Sequence, residues 1–192
     1  MQHSDQPFIE LKKAKETISA MESSESLVQF EEQWKEFLRR TERTWNKAHA
    51  HFGKSPKWNS WQRKVEQQRK SDELLLYLVQ ARGAEEHTVN EISERQPGGI
   101  DINPVVGNSL FIERMEIRNG QIVELRSPQA IRIDLLPAQI RLLPVTNRGR
   151  KYEVPTSHLG SRIDPSNVIE IAKAAYSFYE KVLAEAEEKF VG

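Results

Sequence analysis

Cysteine is absent from the 192 residues. Disulfides, thiolate zinc sites, thiol nucleophiles and iron–sulfur clusters are therefore excluded. Long apolar runs are absent too. The longest, at 74–79, is far too short to cross a bilayer, so no membrane association is expected. Neither charge is in excess: 28 Lys and Arg face 28 Asp and Glu. No net field draws the chain to nucleic acid or to an acidic partner, and any basic patch must be local. Residues 1–9 lack the charged start and apolar stretch of a signal peptide. With the missing cysteines, this gives the expectation of a cytoplasmic protein. Phosphate loops are missing, since Gly98-Gly99 has neither the following helix nor the lysine. No dinucleotide fingerprint and no Gly-x-Ser-x-Gly elbow occurs. No cofactor is expected. Internal repeats and low-complexity segments are lacking as well.

What remains is a globular composition, 38% hydrophobic with a charged surface at 29%, rather than a disordered one. The length suits a single domain, 1–192. Ser4 or Asp5 with Pro7 opens a first helix, along which Phe8, Leu11, Ile18 and Met21 recur at helical spacing. A second helix spans 26–52, with Leu27, Phe30, Trp34, Phe37, Trp45, Ala48 and Phe52 on one stripe and Gly53 as its stop. Ser55-Pro56 opens a third helix that no Pro or Gly interrupts before Gly83. Its stripe of Trp58, Trp61, Val65, Leu75, Leu76 and Val79 also holds Gln68 and Asp72. Two polar residues on a buried face must be paired or wet, because unpaired burial costs a few kcal/mol.

The segment 92–108 is rich in Pro, Gly and Asn and reads as a long loop. Strands follow at 110–118 and 121–125 around Asn119-Gly120, a strong hairpin signal. Further strands fall at 130–135, 139–145 and 150–154, with a turn at Asn147-Arg148-Gly149. Asp164-Pro165 caps a last helix with Val168, Ile171, Ala172, Ala175, Phe178, Tyr179, Val182 and Ala186 on its stripe. The expected fold is α+β: a four-helix bundle from 7–91 and 164–190, with an antiparallel β-meander inserted at about 107–155.

Five histidines are the first place to look for acid–base chemistry. His3 sits near the terminus. His49 and His51, two apart on a helix, point to different faces and make no metal pair; no metal site is expected. His49 follows the buried stripe and reads as a half-buried, satisfied histidine. His158, in a loop before a helix, is either an anion contact or a hydrogen-bonded loop residue. Trp58 and Trp61 read as core, while the basic strip around them, including Lys54, Lys57, Arg63 and Lys64, is the best local candidate for phosphate contact.

One stretch carries a chemical pattern: Gln80-Ala81-Arg82-Gly83-Ala84-Glu85-Glu86-His87. Arg43 and His49 match the same spacing, so position decides. On a helical wheel Gly83 lies at the centre of the stripe, with Arg82 and His87 on its flanks and Glu86 one turn from Arg82, within pairing reach. A glycine there lets another helix come close. If that helix is its own copy across a two-fold axis, two Arg and two His line one cleft.

An Arg followed a few residues later by a His, late in a helix of a bundle, resembles the HEPN domains. These are four-helix domains that commonly dimerise. Many are metal-independent ribonucleases of toxin and phage-defence systems, and others are inactive binding modules. The resemblance covers the helices, 7–89 and 164–190, and not the strands. It implies a homodimer. In a nuclease of this kind His87 would exchange a proton with the RNA 2′-hydroxyl or the leaving oxygen, and Arg82 would stabilise charge in the transition state. Two readings follow. One is a non-catalytic interaction module with an RNA or protein partner, the strands or the 92–108 segment being the partner surface. The other is a homodimeric endoribonuclease with Arg82 and His87 as catalytic residues and Glu86 in support. The insertion favours the first, because it adds about fifty residues that such catalysis does not need.

Overall fold

The computed structural model describes residues 6–87 and 90–191; His3 and the cap expected at Ser4 or Asp5 lie outside them. Five helices are present: α1 (Gln6–Glu22), α2 (Leu27–Phe52), α3 (Trp58–Ser71), α4 (Glu73–His87) and α5 (Val168–Phe190). The fold is α+β, but the bundle of four helices is corrected to five. The expected third helix is two, broken at Asp72, where the backbone is extended at φ −77° and ψ 130°. The cause is chemical. The Asp72 carboxylate accepts from the Leu75 amide at 3.0 Å and so caps α4. The apolar period continued across the break because both helices face the same core, so periodicity alone hid it.

Ser26 caps α2 by accepting from the Gln29 amide, as its position predicts. Trp34, Phe37, Leu38, Trp45, Ala48 and Phe52 of α2 are all buried. One apolar cluster joins Ala14, Ile18, Trp34, Phe37, Leu74 and Tyr77 to Ile140, Leu142, Val145 and the start of α5. A second joins Trp45, Phe52, Trp58, Val65 and Leu75 to Phe178, Tyr179 and Leu183 of α5.

The strands are β1 (Ser93–Gln96), β2 (Gly99–Pro104), β3 (Arg114–Arg118), β4 (Gln121–Arg126), β5 (Ile131–Leu136), β6 (Gln139–Leu142), β7 (Val145–Asn147), β8 (Arg150–Tyr152), β9 (Ser157–His158) and β10 (Ser161–Arg162). They do not form a meander. β1 pairs with β6, β2 with β5 and β3 with β4, so the pairings nest inside one another as a two-stranded ribbon. The expected loop at 92–108 is thus largely strand. Pro97-Gly98 separates β1 from β2, and Ile100 and Ile102 alternate with Asp101 and Asn103 inside β2. The hairpins β7–β8 and β9–β10 follow. Three tight turns share one conformation, with positive φ at Asn119 and Gly120, at Arg148 and Gly149, and at Leu159 and Gly160.

The chain divides into two compact units, Met1–Arg95 with Ile140–Gly192, and Gln96–Gln139. The strands from Ile140 onward therefore belong with the helices, and Ile140, Leu142 and Val145 are core residues there. The second unit is the ribbon alone. None of its residues is buried.

Candidate functional site

The C-terminal end of α4 brings Arg82, Glu86 and His87 together around Glu86. A guanidinium nitrogen of Arg82 lies 2.7 Å from Glu86 Oε1, and His87 Nε2 lies 4.0 Å from Glu86 Oε2. The His87 side chain is 70% exposed, whereas Arg82 is half-buried. Arg82 Nε is buried and meets no acceptor among the described residues. Glu85 does not join them: it takes Arg39 of α2 at 2.9 Å and ties α4 to α2. At Gly83 the close neighbour is not another helix. A Cβ there would sit 2.5 Å from the side-chain amide of Asn147 on β7, which donates to Gln80 at 3.0 Å. A side chain at 83 would have to displace the Asn147 amide, because the chain's own hairpin lies over that turn of α4.

His158 belongs to the β9–β10 hairpin rather than to a loop leading into a helix. Its Nδ1 lies 2.9 Å from Asp72 Oδ1, and the other carboxylate oxygen accepts from the Leu159 amide at 2.6 Å. Asp72 thus caps α4 and clasps the hairpin at once, which answers the question of a polar residue on a buried stripe. Burial pushes its carboxyl up, but the Leu159 and Leu75 amides and His158 outweigh burial and hold it below the usual carboxylate range. The neighbouring Glu73 accepts from the amides of Thr156 and Ser157, each at 3.1 Å. The Thr156 amide, with Ser157, holds the Glu73 carboxyl below the usual carboxylate range, so this corner is a fastening with its hydrogen bonds already made. An open hollow of about 320 Å³ beside it is lined by Glu73, Tyr77, Lys151, Tyr152 and Glu153. Its polar groups are also engaged: Lys151 pairs with Glu153 at 2.8 Å and the Tyr77 hydroxyl donates to the Leu143 carbonyl at 2.8 Å.

His49 and His51 serve packing. His49 Nδ1 accepts from the Trp58 indole at 3.4 Å and its ring meets Trp45 and Trp58 edge to face. Burial is the leading cause that holds its imidazole below the usual range. Trp58 is core at 1% exposure. Lys54, Lys57, Arg63 and Lys64 are exposed. Arg69, on the same basic stretch, turns inward instead: it donates to the Tyr179 hydroxyl at 3.1 Å and pairs with Glu42. The strip therefore loses one of its cations to the core. Among the described residues no group of three metal-ligating side chains occurs, and no helix is long and apolar enough to cross a membrane.

The surface that the sequence pointed to only in part is the ribbon. In β2–β5 the rungs Ile100–Leu135, Ile102–Ile133 and Pro104–Ile131 share one face, and Asp101–Asp134 and Asn103–Arg132 share the other. In β3–β4 the rungs Met115–Leu125 and Ile117–Ile122 share a face opposite Arg114–Arg126 and Glu116–Glu124. On the polar faces Arg114 and Arg126 pair with Glu124 at 2.8 and 2.7 Å, Arg118 with Glu116 at 2.6 Å, and Arg132 with Asp134 at 2.8 Å. The apolar faces are uncovered, with Leu135 77%, Ile117 58% and Ile133 49% exposed. The alternation of Ile131 and Ile133 with Arg132 and Asp134 signalled half of this. The other half was hidden because Ile100 and Ile102 sit among loop-forming residues.

No protein-family model, curated protein or solved structure matches this chain.

Proposed function

We propose that the protein is a non-catalytic interaction module: a HEPN-like helical scaffold that presents the uncharged faces of a β-ribbon to a partner. One observation carries this reading. Of the fourteen exposed large hydrophobic residues among those described, ten lie in Gln96–Gln139, a unit with no buried residue. Apolar surface concentrated in this way marks a contact site. A two-stranded ribbon also has little stability by itself and gains from a second layer. A photo-reactive side chain at Leu135 tests the reading in cells. A discrete cross-linked species is expected there and not from the same probe at Arg132, on the paired-charge face. Absence of any cross-link at Leu135 removes the support for the module.

The second reading, a metal-independent endoribonuclease acting as a homodimer, is favoured by Arg82 and His87 lying five residues apart on α4 and sharing Glu86. Against it, Glu86 already engages the guanidinium that would have to meet a phosphate. RNA cleavage by the purified chain, abolished in both Arg82→Ala and His87→Ala, is the outcome this reading requires. Cleavage unchanged in either variant ends it.

A further inference from the structure

We propose that the groove between α3 and α5 docks an acidic peptide segment of a partner protein, with one large apolar side chain of that segment seated in it. This second surface lies on the helical unit and does not rest on the ribbon.

Shape is the first argument. Trp61 and Val65 of α3, Phe178 and Val182 of α5 and Leu159 of the β9–β10 turn line a hollow of about 150 Å³. A dry cavity of about that size holds a benzene ring. Drug-sized ligands need roughly twice the volume, so a single side chain fits and a whole small molecule does not. Pockets of this kind take the aromatic anchors that dominate the affinity of a docked segment.

Leu159 is the unexpected wall. It is 54% exposed at φ +48°. The left-handed region disfavours a leucine, and glycine or asparagine would sit there more easily. An apolar side chain is held where turn chemistry favours a small or polar one, and that side chain lines the hollow.

Charge says what flanks the anchor. Lys64 on α3 and Lys181 on α5 line the same hollow. Both are exposed, and neither has an ion-pair partner among the described residues. The carboxylate on the rim, Glu185, lies 3.7 Å from Lys189. Lys57, also exposed and unpaired among the described residues, precedes Lys64 by two turns on the same side of α3. An acidic segment gains pairs with these lysines that a neutral or basic one does not.

Gln68 adds a polar contact. It is half-buried, it lines the hollow, and its side-chain amide has no partner among the described residues. The polar residue on the apolar stripe of α3 thus faces a wet groove, where it offers a peptide backbone both a donor and an acceptor.

RNA suits the groove less well. Stacking of a base needs an open aromatic face. Trp58 is buried, and Lys189 Nζ lies 5.9 Å over the Trp61 ring.

Fluorescence anisotropy of the full chain with a labelled peptide of Ser, Asp and Glu around one central Phe tests this. Saturable binding that weakens as salt rises is expected. Replacing the Phe of the peptide by Ser, or combining Lys64→Glu with Lys181→Glu in the protein, weakens it by at least roughly tenfold. Leu159→Gly relaxes the turn, removes one wall and weakens binding roughly threefold. Lys12→Glu, on the exposed side of α1, leaves it unchanged. An unchanged helical circular dichroism melt shows that each variant is folded; should the double variant unfold, the Phe-to-Ser peptide decides. No binding of the Phe peptide up to its highest soluble concentration, or binding indifferent to loss of the Phe or of both lysines, overturns the inference. Polyuridylate binding that the double variant abolishes, and with which the peptide does not compete, also overturns it and returns the lysines to phosphate contact.

Discussion

The helical unit and the ribbon are built from similar residues and end in opposite states. Both are rich in Ile, Leu and Val. In the first, Trp34, Phe37, Leu74 and Ile171 are at most 1% exposed. In the second, nothing is buried. Apolar content does not decide burial; a second layer does. Helices α1, α2, α4 and α5 supply layers to one another, and β6 and β7 add Ile140, Leu142 and Val145 to the same core. Each two-stranded pair of the ribbon has an apolar face and no layer of its own to set against it.

The comparison can be broken by substitution. The largest effect is expected from Leu74→Ala, which empties a site of 0% exposure and costs about 3–4 kcal/mol in a urea melt. The matching Ile133→Ala in the ribbon is expected to cost less than about 1 kcal/mol, since half of that side chain is already in water. Equal losses would show that the ribbon is covered within the single chain.

Next comes Asp72→Ala, which removes the α4 cap and the clasp on the β9–β10 hairpin. We expect a loss of about 2–4 kcal/mol. It also sharpens a pH dependence. Because the folded carboxyl lies below its ordinary value of ~3.9, the unfolded chain takes up the proton first. The stabilisation is complete above that value and is lost as pH falls through the lower, folded one. Wild-type melts should therefore weaken below about pH 4, and the variant should show a shallower acid limb. Parallel acid limbs would deny Asp72 this role.

A smaller effect is expected at the ribbon tip. Gly120 has φ +76°, and an alanine there is strained by about 1 kcal/mol. Faster amide exchange in β3 and β4, with the helical unit unchanged, is the expected readout. Loss of protection in both units would mean that they unfold together. The smallest effect is expected from Arg82→Ala. Its pair with Glu86 is partly exposed, so the change in stability should stay within about 0.5 kcal/mol. A loss several times larger would make the pair a structural element.

The helices were legible because each buries a stripe against a common core, and stripes of period 3.6 survive in sequence. The ends were legible where side chains cap, as at Ser26, and the Asn119-Gly120 and Asn147-Arg148-Gly149 turns where glycine follows a residue that tolerates positive φ. The break at Asp72 was not, because its signal, a polar residue on an apolar stripe, is the same whether the residue caps a new helix or faces a wet groove. The β9–β10 hairpin was missed for a similar reason: Leu159, with φ +48°, is not a residue that advertises a turn. Of the candidate site, the sequence placed Arg82, Glu86 and His87 near one another at the end of a helix, which is local geometry. It did not reveal that Asn147 covers Gly83, or that Arg69 leaves the basic strip for Glu42 and Tyr179, since those partners lie far along the chain.

By itself, then, the sequence determined the α+β class, the helical stripes and two of the turns, all of which depend on neighbours within a few residues. Tertiary structure alone decided that the strands nest as a ribbon instead of a meander. Alternation says which residues share a face but not which strand lies opposite, and the pairing of β2 with β5 joins residues about thirty apart. The uncovered faces come from that pairing, and with them the surface on which the proposed function rests.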